Sequence, residues 1–240
     1  MKVVAFLPCR RGSQRVPDKN TRPFSRDGRS LLAIKLEQLV ATRQIDELVV
    51  SSNDPFVLDF AYDFARNTDK PVRIDERPDH LGSSTTTTDA LIEYVPTIIE
   101  AGHILWTHVT SPFVDGPLYD RIVDRYHEVV GEGFDSLMTA CRVQTFLFSE
   151  DGPVNFDRSV LKWPRTQTLP VWWEVDSAAF LVERSVCLQQ RDRIGAKPFL
   201  FEMDHERSFD IDTMSQFELG SKLWDLNDAN QTSGTSQALV

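Results

Sequence analysis

The sequence predicts an α/β fold with a mainly parallel sheet covered on both faces by helices. Short β-rich apolar runs alternate with stretches of helical periodicity over roughly the first 130 residues, and the connections between successive strands are long enough for crossovers. In such sheets ligands settle at the carboxyl ends of strands, so the loops that follow strands are the places to look for chemistry. A chain of 240 residues with 41% hydrophobic positions also has the material for a sizeable core.

Residues 3–7 (VVAFL) are the first expected strand, stopped by Pro8 and running into a polar, turn-rich loop. Ser30 is placed to cap a helix in which Leu31, Ile34, Leu39 and Val40 share one face. A strand at 47–51, a helix at 56–66, a strand at 71–75, a helix at 89–100, a strand at 103–108 and a helix at 118–130 continue the alternation. After Phe134 the rhythm changes. Short β-like pieces at 136–143 and 146–149 lead into a Pro- and Trp-containing stretch, 152–173, that lacks helical periodicity and reads as an excursion from the sheet. Strands at 178–182 and 198–202 and a closing helix at 214–226 bring the chain back. Residues 228–240 are polar and rich in Ser, Thr, Asn and Gln, so they read as a flexible tail on a single domain spanning 1–227.

Charge and composition narrow the function classes. With 26 Lys and Arg against 36 Asp and Glu, the net charge of −10 gives a nucleic-acid duplex no general attraction, and no nucleic-acid partner is expected. No apolar run approaches the ~20 residues that cross a bilayer, and MKVVAFLPCRRG meets its arginines too early for a signal peptide. No membrane partner is expected. The three cysteines, Cys9, Cys141 and Cys187, form no close-spaced pair, which favours a reducing compartment and a cytoplasmic location.

The most informative segment follows the first strand: Pro8-Cys9-Arg10-Arg11-Gly12-Ser13-Gln14-Arg15-Val16-Pro17-Asp18-Lys19-Asn20. It gathers Arg10, Arg11, Arg15 and Lys19 around Gly12 and Ser13, where a tight turn offers backbone N–H groups to phosphate oxygens. It has neither the Walker spacing nor a G-x-G-x-x-G fingerprint. By itself it reads equally well as a solvated basic loop. A second segment, Ser208-Phe209-Asp210-Ile211-Asp212-Thr213, leads into the last helix. Carboxylates two apart in an extended stretch point the same way and suit one hard cation. Helix capping by Asp212 or Thr213 is the competing reading.

In their order along the chain, PCRRGSQRVPDKN, VVSSND, RPDHLGSSTTTTDAL, HVTSP and SFDIDT resemble the acylneuraminate cytidylyltransferases, also called CMP-sialic acid synthetases, up to about Asn227. The resemblance implies a Rossmann-like three-layer domain and a projecting β-hairpin, approximately 140–175, that builds a homodimer. It implies Mg²⁺-dependent transfer of CMP from CTP to a sialic-acid-like nonulosonic acid, with release of pyrophosphate. Pro8, Arg10, Gly12, Ser13 and Asn20 then match the nucleotide and triphosphate loop, with Arg77, Thr86 and Thr88 lining the cytidine pocket. Arg10, Lys19 and Asp212 are the implied catalytic residues, and Asp210 with Asp212 the metal pair. His108, Ser111, Arg165 and Asp176 fall at the sugar, with Arg165 in a stretch, Trp163 to Pro170, that resembles the dimer hairpin.

Of three departures from the family pattern, one falls in the phosphate loop and two at the acceptor. Gln14 stands where the family has the lysine of R-x-G-S-K, His108 opens what is usually Q-P-T-S-P, and Asp176-Ser177-Ala178 replaces N-G-A. They keep open the alternative of a catalytically silent nucleotide-binding protein of the same fold, while activation of the related acid KDO is the nearest enzymatic alternative, against which the DIDT and RPDHL segments favour the nine-carbon branch. The five histidines show no H-x-x-x-H or H-E-x-x-H spacing, which disfavours a zinc hydrolase. Cys9 reads as a packed side chain at a strand end, and Trp172 and Trp173 as interface aromatics.

Overall fold

In the computed structural model, which describes the backbone of residues 1–237 and side chains through Asp228, the expected alternation is present. It runs β1 (Val3–Pro8), α1 (Leu31–Ala41), β2 (Glu47–Ser52), α2 (Pro55–Arg66), β3 (Val72–Glu76), α3 (Thr88–Ile98), β4 (His103–Trp106) and α4 (Gly116–Gly131). Then come β5 (Ser136–Val143), β6 (Phe148–Ser149), β7 (Gly152–Pro153), β8 (Trp172–Glu183), α5 (Arg184–Gln190), β9 (Pro198–Met203) and α6 (Met214–Gln237). The main sheet has the order β3-β2-β1-β4-β8-β5-β9. Every pairing in it is parallel except the two made by β8, which runs antiparallel to both β4 and β5.

The layering follows from the period of two in a strand. Val3, Ala5 and Leu7 of β1 join a core with α1, α2, α4 and Phe217 of α6, whereas Val4 and Phe6 join a second core with Ile92 and Val95 of α3 and Cys187 of α5. Local chemistry sets the helix ends. Ser30 accepts from the Ala33 amide at 3.2 Å, Thr87 from Ala90 at 3.2 Å and Asp115 from Leu118 at 3.0 Å, each a side-chain N-cap. None of the described helices is long and apolar enough to cross a membrane.

Four differences from the sequence reading have physical causes. First, β8 begins at Trp172, not at residue 178, because Val143↔Trp172 to Ala140↔Val175 continue the ladder with β5 past an irregularity at Met138/Ala140. The outer half, Trp172 to Val175, is exposed and the kink holds Ser177 at φ 61°, so sequence signals for a strand fail there. Second, the stretch likened to a dimer hairpin, Trp163 to Pro170, is not a hairpin. It holds a 3₁₀ turn at Thr166–Thr168, and the projecting antiparallel elements are the outer β5–β8 ribbon and the small β6–β7 pair. Third, α5 forms where no helix is expected, seven residues long with a single buried residue, Cys187. Fourth, helical backbone in α6 extends through Gln237, beyond the end expected at 226; the rest of the expected tail, 238–240, lies outside the described residues.

Candidate active site

β1 and β4 are neighbours in the centre of the sheet, and from them the strand order runs outward in opposite directions. The crevice outside their carboxyl ends is the switch point of the sheet. A cavity of 630 Å³ opens there, within the ~300–1,000 Å³ typical of small-molecule sites.

The loop after β1 supplies its cationic wall. Pro8, Arg10, Ser13, Gln14, Lys19 and Asn20 line the cavity, while Gly12 shapes the loop from outside the lining, in the left-handed region at φ 75°. The Asn20 amide donates to the Arg10 carbonyl at 3.2 Å, and Asn53 after β2 accepts from the Arg11 amide at 3.1 Å. Gly82 lets the next loop close on this arrangement, since a Cβ there would sit 2.3 Å from the Asn53 side chain. Arg77 enters from the end of β3, buried, with Nε donating to Ser51 Oγ at 3.0 Å. Burial pulls its pKa down. Cys9 is also buried, and its thiol is pushed up to about 12 by desolvation, so it stays protonated and inert.

Asp210 and Asp212 line the same cavity as Arg10. Arg15 Nη2 lies 2.8 Å and Lys19 Nζ 3.7 Å from Asp212 Oδ1, and Lys19 also donates to the Ile211 carbonyl at 2.9 Å. Burial lowers the Lys19 pKa, with Asp212 and Asp210 pulling it back up. Asp212 does no capping. That work falls to Thr213 and Gln216, whose side chains reciprocally accept from Gln216 N at 3.3 Å and Thr213 N at 2.8 Å, a capping box. Asp210 has a buried Oδ1 without a hydrogen-bond partner, and burial raises its pKa, partly offset by a hydrogen bond from Thr110.

The pair fits a hard divalent cation in a limited sense. A carboxylate with an orphaned oxygen, on a residue that lines the cavity, suits such an ion, yet the described residues contain no cluster of three or more His, Cys, Asp or Glu able to cage a metal. Mg²⁺ is commonly held by one or two carboxylates together with substrate phosphates, and this donor set suits that case.

The far end of the cavity is formed by Trp106, His108, Ser177 and Arg193. His108 Nδ1 is 2.8 Å from the Ser177 carbonyl and Nε2 accepts from Trp106 Nε1 at 3.1 Å, which fixes the neutral ring with its proton on Nδ1. Desolvation lowers its pKa to about 4. His108 therefore lines the cavity but has no ring nitrogen left for a sugar. It holds Trp106 and the kink at Ser177 in place.

Several expected site residues lie away from the cavity. Ser111 is fully buried behind it, its carbonyl accepting from Lys35 Nζ at 2.7 Å. Asp176 is buried too, with Oδ1 accepting from Thr139 Oγ1 and from the Ala178 amide at 3.0 Å, and its pKa is raised by desolvation. Thr86 spends its hydroxyl on the His80 carbonyl at 2.9 Å, leaving Thr88 as the cavity residue of that run. Arg165 is exposed on the excursion. Conversely, the sequence reading missed Trp106, Ser177 and Arg193. Trp106 falls inside the expected strand at 103–108, and Arg193 sits in RDRIGAK, a segment with no spacing signal.

The comparisons settle the class. The sequence profile of the cytidylyltransferase family matches residues 4–232. The chain belongs to that family. This cytidylyltransferase is 27% identical over 237 residues to the pseudaminic acid cytidylyltransferase of Campylobacter jejuni subsp. jejuni serotype O:23/36, with 95% of this chain and 98% of that one covered. It is 24% identical over 235 residues to the CMP-N,N'-diacetyllegionaminic acid synthase of Legionella pneumophila, with 95% and 98% covered. Its fold is that of a CMP:2-keto-3-deoxy-manno-octonic acid synthetase solved with CTP, at TM-score 0.65 and 15% identity over 95% of this chain and all (100%) of that one. The 4-diphosphocytidyl-2C-methyl-D-erythritol synthase of Anaerococcus prevotii gives TM-score 0.66 at 13% identity, covering 93% and 96%.

Proposed function

We propose that this cytidylyltransferase transfers CMP from CTP to a sialic-acid-like nonulosonic acid, with Mg²⁺ and as a homodimer, giving a CMP-sugar and pyrophosphate. The observation that carries the reading is the meeting of the cationic loop, Arg10 and Lys19 foremost, with Asp210 and Asp212 across one cavity. A triphosphate needs the first group and its counter-ion the second. The names of the Campylobacter and Legionella relatives support the acceptor class.

In the reaction the anomeric hydroxyl oxygen bonds to the α-phosphorus, the bond from that phosphorus to the pyrophosphate oxygen breaks, and the hydroxyl proton passes to solvent. Arg10, Lys19 and the Gly12–Ser13 turn hold the triphosphate in line and offset charge as it moves to pyrophosphate. Pro8, Asn20, Arg77 and Thr88 frame the nucleoside. Asp210 and Asp212 would hold Mg²⁺, which when bound screens phosphate charge and acidifies a ligated hydroxyl. Arg15, paired with Asp212 in the free protein, supplies the positive charge that Gln14 does not. Arg165, outside its own cavity, is assigned to the sugar site of a second copy, and exposed Trp163, Trp172 and Trp173 support an interface on that excursion and ribbon.

Pyrophosphate release from protein, Mg²⁺ and CTP tests this with pseudaminic acid, N,N'-diacetyllegionaminic acid, N-acetylneuraminic acid and KDO as acceptors. Release with a nonulosonic acid and CTP, but not with ATP, GTP or UTP, is expected. Release with KDO alone assigns the related branch, and CTP binding without release across the panel makes the protein a silent binder.

A further inference from the structure

We propose that Arg193 is the residue that binds the carboxylate of the acceptor sugar acid, an assignment that rests on the functional reading above. Arg193 lies between α5 and β9 and reaches the cavity at its far end, beside His108 and Ser177. Its guanidinium carbon stands 3.7 Å from the ring centroid of Phe180 and 5.6 Å from that of Trp106. These rings form a platform by design of the sheet, since Trp106 of β4 and Phe180 of β8 are cross-strand partners. The platform is braced by the hydrogen bond from Trp106 to His108.

Stacking occupies the faces of a guanidinium and leaves its N–H edge free, and that edge matches a planar carboxylate with two parallel hydrogen bonds. Among the described residues no side-chain or backbone acceptor takes a hydrogen bond from the Arg193 guanidinium. Its neighbour Asp192 turns its carboxylate to the Arg193 backbone amide, at 2.6 Å. Desolvation lowers the Arg193 pKa, with the charge of Asp192 pulling it back up, and among the described residues no carboxylate stands within ion-pair distance of the guanidinium. The other buried or half-buried cations of the cavity already have protein partners: Lys19 has Ile211 and Asp212, Arg77 has Ser51. An anionic group of the ligand is what completes Arg193. The triphosphate is provided for by the loop after β1, and the one other anion in the proposed reaction is the acceptor's carboxylate.

The test uses the full-length protein, CTP, Mg²⁺ and whichever panel acid turns over, alongside the methyl ester of that acid. Arg193→Gln is expected to raise the KM for the acid about 10- to 100-fold while the KM for CTP stays within about twofold. Arg193→Lys is expected to recover part of the loss. Wild-type protein should prefer acid over ester, and Arg193→Gln should largely abolish that preference, a readout that loss of stacking alone does not move. An unchanged KM for the acid, a shift in the KM for CTP instead, or an acid-over-ester preference that survives in Arg193→Gln overturns the assignment. Absence of pyrophosphate release by wild-type protein with every acid overturns the functional reading and this assignment with it; turnover with an unresponsive Arg193 overturns this assignment alone.

Discussion

Asp212 shows how much a single carboxylate can be asked to do. It faces Arg15 and Lys19 in the free protein, and the capping box of Thr213 and Gln216 relieves it of a role at the start of α6. Asp212→Asn should therefore melt within about 1 kcal/mol of wild type, because its ion pairs are half-exposed, and lose on the order of 10²-fold or more in kcat by pyrophosphate release. A large fall in stability with activity retained would reverse that assignment. His108 makes a prediction in pH. Its pKa in the fold is about 4 against an ordinary histidine value of 6.5, so the unfolded chain binds more protons between those values. This residue's contribution is complete above pH ~6.5 and is lost as pH falls toward 4, up to about 3 kcal/mol. Urea unfolding of wild type and His108→Gln between pH 4 and 7 should show that slope in the difference between them. Gln offers both a donor and an acceptor there without a titrating group. At this scale the sequence was half legible. Arg10, Lys19, Asp210 and Asp212 carry charge in ordered motifs and were named, whereas Ser111 and Asp176 matched motif positions but face inward, which depends on strand register that no motif records. Arg193 was missed because its partners, Phe180 and Trp106, are remote in sequence and meet only through the sheet.

At the scale of elements, α1 carries an unusual burden. Lys35 is fully buried, with Nζ donating to the Ser111 and Val114 carbonyls at 2.7 and 3.2 Å and lying 3.0 Å from Tyr119 Oη. Burial pulls its pKa well down, with Asp115 opposing. Those bonds fix the loop between β4 and α4, whose earlier residues, His108 to Thr110, line the cavity. Lys35→Met keeps the volume but strands two carbonyls, so a loss of about 2–4 kcal/mol in denaturant unfolding is expected. A neutral or stabilising outcome would mean the buried charge costs as much as its bonds return. The first half of the fold was readable because short apolar strands alternate there with helices that open on a capping side chain such as Ser30. The second half was not: the outer part of β8 is exposed and interrupted by Ser177, and α5 has a single buried residue to give it a periodic signal.

For the molecule as a whole, topology explains why distant motifs converge. With β1 and β4 adjacent at the switch point, the loops after both open into one crevice, and Ile211, whose amide donates to the Thr110 carbonyl at 3.0 Å, brings the acidic pair alongside them. The proposed homodimer belongs to this scale. Trp172 and Trp173 are 44% and 37% exposed on the β5–β8 ribbon, and replacing both with Glu should convert a dimer into a monomer in sedimentation velocity, since charge at the centre of an aromatic interface is strongly disfavoured. A wild-type monomer at micromolar concentration would remove the proposal.

The same strand that presents these tryptophans carries Ser177 at its kink and Phe180 beneath Arg193. The proposed dimer contact and the proposed acceptor site thus share one continuous piece of backbone. Transplanting pocket side chains alone from a relative is expected to transfer substrate preference poorly in a pyrophosphate-release assay, and exchanging the whole of β8 to transfer it better, because the kink at Ser177 sets where the groups along the strand stand.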